Sequence, residues 1–162
     1  MLLAAAGCGS TKTVTKTVTV QAPAKTGVGP PAQLVQFGHI KSLKREGSGY
    51  VMRFDPEWFL MGVTANTAAA EDGAVSPGEP VPNDNYRVDE GHRLLTYRVP
   101  ADARVRVLTT GSNLKGTPIT VAQLAQIVAG KKPVPLFEPI ETGFWIRIDI
   151  DTVRSIDQQY LP

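Results

Sequence analysis

The chain has 162 residues, 42% of them hydrophobic and 20% charged, with a formal net charge of +2. That length fits one domain with a substantial core, and a single cysteine excludes an internal disulfide. The net positive charge comes from the start. Lys12, Lys16 and Lys25 precede residue 33, and all 15 acidic residues follow it. Residues 33–162 are therefore near neutral, at −1, and lack the electrostatic footprint of a nucleic-acid binder.

The chain begins Met1-Leu2-Leu3-Ala4-Ala5-Ala6-Gly7-Cys8, followed by Gly9 and Ser10. A short apolar run of small residues ending at a cysteine resembles the lipobox of bacterial lipoproteins. In that family the signal peptide is removed at the cysteine, which then carries the lipid. The resemblance implies a lipid anchor on Cys8 and a location on the outer face of the bacterial cytoplasmic membrane. The run before Cys8 is shorter than a full signal h-region and has no preceding Lys or Arg, so the native start is expected upstream. The alternative is an incidental cysteine in a plain N-terminal segment. No apolar stretch approaches the ~18 residues of a membrane span.

Residues 9–32, rich in Thr, Val, Lys, Pro and Gly, contain the near repeat Thr-Lys-Thr-Val. They offer too little apolar surface to offset their ordering entropy, so they are expected to form a flexible tether. The alternative is an edge strand. Residues 33–162 are then the single globular domain.

Leu34 to Leu43 fits a strand with a slip near Gly38. Glu46 to Gly49 is a turn, and Tyr50 to Phe54 alternates as the second arm of a hairpin. Asp55-Pro56-Glu57 is expected to interrupt that arm. Thr64 or Asn66 can cap a short Ala-rich helix closed by Gly73. Residues 74–85 hold three prolines and no periodicity, which reads as a loop. Extended structure resumes at Tyr86 to Val88, Leu94 to Val99 and Arg104 to Leu108.

The clearest helix covers 120–129. Thr120 and Gln123 make a capping box, and Val121, Leu124, Ala125 and Val128 form an apolar stripe. Gly130 ends it. Phe144, Ile146, Ile148 and Ile150 then alternate with Trp145, Arg147, Asp149 and Asp151, the best strand pattern in the chain. Val153 to Tyr160 reads as a last strand or a turn.

A helix between the middle and last strands is the layout of small OB-type barrels. Five or six short strands gain from closure, which removes exposed edges. The expectation is a mainly β (α+β) domain, a small OB-like barrel with one capping helix. An open antiparallel sheet with the helix on one face is the alternative. The stretch Phe54 to Pro100, with its Ala-rich turn and Val-Pro-Asn-Asp motif, also resembles a segment of secreted bacterial proteins of unknown function. That resemblance brings no catalytic residue.

Chemistry-bearing residues are sparse. Glu90 and His92 could form an acid–base pair, but a polar inter-strand loop is the favoured reading. His39 lies among apolar neighbours and reads as a packed histidine, with no partners for a zinc site. Asn83, Asp84 and Asn85 offer oxygen ligands but lack calcium-loop spacing, and such residues favour turns. Asp149 and Asp151 would sit about 7 Å apart on one strand face, where Arg147 argues for a charged surface instead of glycosidase carboxylates. No metal, cofactor or catalytic residue is expected.

Trp145 beside Arg147 has the composition of an interface. The alternative is that Trp145 covers a patch beneath the 74–85 loop. Ligand or partner contact is expected at Asn83, Asp84, Asn85, Tyr86, His92, Trp145 and Arg147. The functional expectation is a lipid-anchored binding or interaction module without catalysis, its partner an envelope protein or small ligand rather than nucleic acid. An accessory or inhibitory domain for a cell-envelope enzyme is the second reading. A hydrolase using Glu90 and His92 is the third.

Overall fold

The computed structural model describes residues 33–112 and 114–162; Cys8 and the 9–32 tether lie outside the described residues. Strand β1 (Leu34–Glu46) and strand β2 (Gly49–Met61) form a long antiparallel hairpin. The alternating pattern of both arms sends Ile40, Leu43, Met52 and Phe54 inward. The register slips between Ile40 and Ser42, so the bulge falls at Lys41 and not at Gly38. Gly38 has a different role. A Cβ there would lie 2.1 Å from the Asp55 carbonyl oxygen, so only glycine lets the two backbones approach this closely.

The expected break at Asp55-Pro56-Glu57 does not occur. On its other edge β2 pairs with β4 (Leu95–Pro100) up to Phe54 and with β3 (Asn85–Val88) from Trp58 onward. Pro56 lies in the gap between these partners, where a missing N–H leaves no ladder bond unmade.

Helix α1 (Gly62–Glu71) starts earlier than the Thr64 or Asn66 caps would place it. Gly62, at φ 58, turns the chain directly out of β2. Thr64 and Asn66 therefore lie inside the helix, and no side chain caps it. Gly73, at φ 72, closes it through an N–H bond to the Ala70 carbonyl. Ala65, Ala69 and Val81 make a small second core with Leu60, Val75 and Tyr86.

Strands β5 (Arg104–Val107) and β6 (Thr117–Ile119) form a further hairpin, and β6 has no clear sequence signal. Helix α2 (Val121–Val128) has the capping box, with both Thr120 and Gln123 bonds present. Val121 and Leu124 are fully buried in the core and Ala125 and Val128 partly, while Ile127 is buried outside that cluster. Strands β7 (Phe144–Asp149) and β8 (Thr152–Gln158) complete the fold. Ile150 does not continue the inward row. The strand stops at Asp149, and Ile150 stands in the β7–β8 turn at φ 60 and 92% exposed.

The pairings form a ring: β1 with β2, β2 with β4, β4 with β8, β8 with β7, and β7 with β1. Closure is made by the parallel contact of Arg98 with Thr152 and by the Arg98 N–H bond to the Asp151 carbonyl at 2.9 Å. This is a closed five-stranded barrel of the OB type with extra strands and two helices, so the open-sheet alternative is set aside. β5 continues along the same edge of β8. Gln158 fixes the Pro-rich 131–143 segment to β8. Its side-chain oxygen accepts from Leu108 N–H, and its amide donates to the carbonyls of Glu138 and Pro139.

Candidate functional site

The alternation that fills the barrel also dresses its outer wall. Gln36 and Ile40 point in, with Gln36 accepting the Tyr97 hydroxyl at 2.7 Å. Phe37 and His39 point out. Phe37 pairs with Trp145 across the β1–β7 ladder and with Glu57 across the hairpin.

Phe37 is only 3% exposed, yet it belongs to neither core cluster. It is covered from outside by Phe59 at 4.9 Å and Trp145 at 5.2 Å between ring centroids. Trp145 and Phe59 also meet edge-on at 5.5 Å. The Trp145 indole N–H donates to Gln159 at 2.6 Å, which fixes its ring. Gly143 makes room for this cluster, since a Cβ there would lie 2.5 Å from the Phe37 ring. Trp145 thus covers aromatic rings, not a patch beneath the 74–85 loop.

Beside the cluster lies a cleft of about 370 Å³ lined by Val35, Pro56, Trp58, Phe59, His92 and Trp145, among others. A second cleft of about 620 Å³ adjoins it and is mainly polar. Its walls include His39, Asn83, Asn85, Tyr86, Arg87 and Asp89, with Glu141 and the Leu161-Pro162 end of the chain. Glu57 lines both clefts.

At that junction His39 Nε2 stands 2.8 Å from Glu57 Oε1, with both side chains mostly buried. Lys41 pairs with Asp55 at 2.9 Å one step along the wall. The Asp55 hydrogen bond holds the Lys41 ammonium above its usual range, against a smaller opposing effect of desolvation. Desolvation, then the hydrogen bond to Asp72, push the Tyr86 hydroxyl above its usual value.

Five of the seven anticipated contact residues are divided between these clefts. Asn83, Asn85 and Tyr86 line the polar one, and His92 and Trp145 line the aromatic one. Asp84 is exposed at φ 55 and lines neither. Arg147 lies along the outer wall, 3.3 Å from Asp157 and 3.5 Å from Ser155. Asn83 donates to the Pro162 carbonyl and Asn85 to the Asn83 carbonyl, so both amides shape the loop.

His92 does meet Glu90, at 2.9 Å, but both are about half exposed. Asp149 and Asp151 do not share a face. Asp149 bonds Arg154, while Asp151 belongs to the turn and faces Arg98 at 3.8 Å. Among the described residues no group of three or more His, Cys, Asp or Glu is placed to hold a metal ion, and no helix is long and apolar enough to cross a membrane.

Sequence reasoning missed the role of His39, Glu57 and Arg87. The signal was the outward phase of β1 and β2, which places residues 37 and 39 opposite 57 and 55. It was hidden by the assumption that Pro56 ends the strand. No family model, curated protein or solved structure matches this chain.

Proposed function

We propose that the protein is a lipid-anchored extracytoplasmic binding module, without catalysis of its own, whose ligand engages the outer barrel wall. The anchor reading rests on the Leu3-Ala4-Ala5-Ala6-Gly7-Cys8 run and its resemblance to the lipobox. The binding reading rests on one observation: an aromatic cleft and a polar cleft meet at Glu57. Fixed ring faces beside convergent hydrogen-bonding groups are the composition of a recognition site. Among the described residues the exposed Glu90–His92 pair has no third hydrogen-bonded group to orient it, which favours binding over the hydrolase reading.

The chain has two tryptophans, Trp58 and Trp145, and both line the aromatic cleft. Intrinsic fluorescence therefore reports on this wall directly. Titration with fractionated envelope glycans and peptides should give a saturable change with one component. Trp58→Ala and Glu57→Gln should each weaken that binding about tenfold or more. A component that binds all three proteins equally places the site elsewhere. The anchor is tested separately: labelled palmitate should be incorporated by the protein expressed from its native locus in a bacterial host and not by its Cys8→Ala variant.

A further inference from the structure

The loops at one end of the barrel differ in charge from the rest of the domain. From Thr109 to Phe137 the chain carries Lys115, Lys131 and Lys132 and no acidic residue. Two loops in this span lie side by side. Thr109 bridges to Leu136, Thr110 N–H bonds the Pro135 carbonyl at 3.1 Å, and Phe137 N–H bonds the Leu108 carbonyl at 2.8 Å. Residues 108–110 and 135–137 are therefore neighbours, which brings the described parts of the two loops, 109–112 with 114–116 and 130–137, side by side.

That surface exposes both apolar and cationic groups. Phe137 is 53% exposed and Leu114 48%, and all three lysines are exposed. None of the three makes a salt bridge to a described residue. Elsewhere Lys41, Arg98, Arg104, Arg147 and Arg154 each face a carboxylate, whereas Lys44, Arg45, Arg53, Arg87, Arg93 and Arg106 form no salt bridge to a described residue either. Leu114 is held at φ 62, a conformation that a leucine rarely adopts, with its side chain in solvent. The bordering acids Glu138 and Glu141 share a cleft with Lys131, Lys132 and Phe137, but neither forms a salt bridge with those lysines. Glu138 accepts the Leu161 N–H at 3.4 Å, and Glu141 also lines the polar cleft.

We propose that this end of the barrel docks on a bilayer containing anionic phospholipid. Phe137 and Leu114 enter the headgroup–acyl boundary, and Lys115, Lys131 and Lys132 meet lipid phosphates. Interfacial binding needs this pairing of apolar insertion with cationic attraction. Each lysine near an anionic surface contributes about fivefold in affinity, and salt screens that contribution. The inference rests on the proposed membrane location for its setting, whereas its test does not use the anchor.

The test uses the full chain carrying Cys8→Ser, so no acyl chain contributes. Sedimentation is compared with vesicles of phosphatidylcholine alone and with about one-third phosphatidylglycerol. Binding is expected to the anionic vesicles only, and weaker at higher salt. Lys115→Gln, Lys131→Gln and Lys132→Gln together should reduce it at least tenfold, and Phe137→Ser should reduce it at every salt concentration. Lys12→Gln, Lys16→Gln and Lys25→Gln together should leave most of it. Lys115, Lys131, Lys132 and Phe137 are exposed, and unchanged thermal unfolding verifies the fold of each variant. The proposal is overturned by absence of binding to anionic vesicles, or by binding that follows the N-terminal lysines instead. Equal binding to heparin with no effect of Phe137→Ser also overturns it, because the surface is then a general polyanion site. Failure here leaves palmitate labelling of Cys8 unaffected, so the two readings fail independently.

Discussion

The barrel and the outgrowth that β2 and β3 carry beyond it are stabilised differently. Inside the ring, Met52, Phe54, Leu124, Phe144 and Ile146 are completely buried, and closure leaves its five strands joined all round. The outgrowth has only Ala65, Ala69 and Val81 fully inside, residues that bring little apolar area. It depends instead on specific polar bonds. Asn66 accepts the Val81 N–H at 2.8 Å, and Tyr86 donates to Asp72 at 3.1 Å. One strand serves both regions, so a rigid ring supports a wall that can open locally. The residues that line the polar cleft from the second side, Asn83, Asn85, Tyr86 and Arg87, belong to that weaker region.

The largest effect should come from the ring. Leu124 is fully buried where α2 covers the core, so Leu124→Ala should cost about 2–4 kcal/mol in urea unfolding, with an unchanged slope. A loss below about 0.5 kcal/mol would mean that α2 does not cover the barrel in solution.

The next test falls where the two regions meet. Gly143 sits at φ 93 with the Phe37 ring against it. Gly143→Ala combines backbone strain with displacement of that ring, and should cost about 1–3 kcal/mol. Because Phe37 touches both Phe59 and Trp145, tryptophan emission should shift as well. A stability loss with unchanged emission would separate the aromatic cluster from the barrel wall.

Asn66→Ala probes the outgrowth alone. It removes the acceptor of a half-buried N–H, at a cost of about 1–2 kcal/mol. The effect should be local. Amide exchange in α1 and β3 should quicken while β7 and β8 stay protected. Uniform acceleration across all strands would show that outgrowth and barrel unfold as one unit.

Much of the barrel was legible because local and global preferences agree there. The Thr120–Gln123 capping box, the Phe144, Ile146 and Ile148 alternation, and the Glu46–Gly49 turn each carry their own signal. The outgrowth was less legible. Pro56 looks like a strand breaker, and its harmlessness depends on a gap between β3 and β4 that only tertiary pairing creates. Thr64 and Asn66 look like caps, but Gly62 makes the turn and Asn66 faces a distant loop. The candidate site was half legible for the same reason. Tyr86, Asn83 and Asn85 share a loop and were found together, whereas His39 and Glu57 are joined only by the hairpin register.

The smallest expected effect has the opposite sign, and it lies back on the ring. Alternation predicts that Ile150 follows Ile148 into the core. Yet β7 and β8 make their last pair at Asp149 and Thr152, leaving Ile150 and Asp151 as a two-residue turn. Asp151 is anchored there by the Arg98 bond that closes the barrel, so the turn cannot slide to bury Ile150. Ile150 therefore holds φ 60 as a β-branched residue, with its side chain 92% exposed. A positive φ at the first central position of a two-residue hairpin turn favours glycine. The left-handed conformation costs a non-glycine residue about 1–2 kcal/mol. Glycine's extra unfolded-state entropy offsets roughly 0.5–1 kcal/mol of that gain. Removing the exposed side chain sacrifices almost no burial. Ile150→Gly should therefore stabilise the domain by about 0.5 kcal/mol and raise its Tm by a few degrees. Destabilisation by more than about 0.5 kcal/mol would show that the turn does not hold this left-handed conformation in solution. The register that closes the ring through Arg98 would then have to be redrawn.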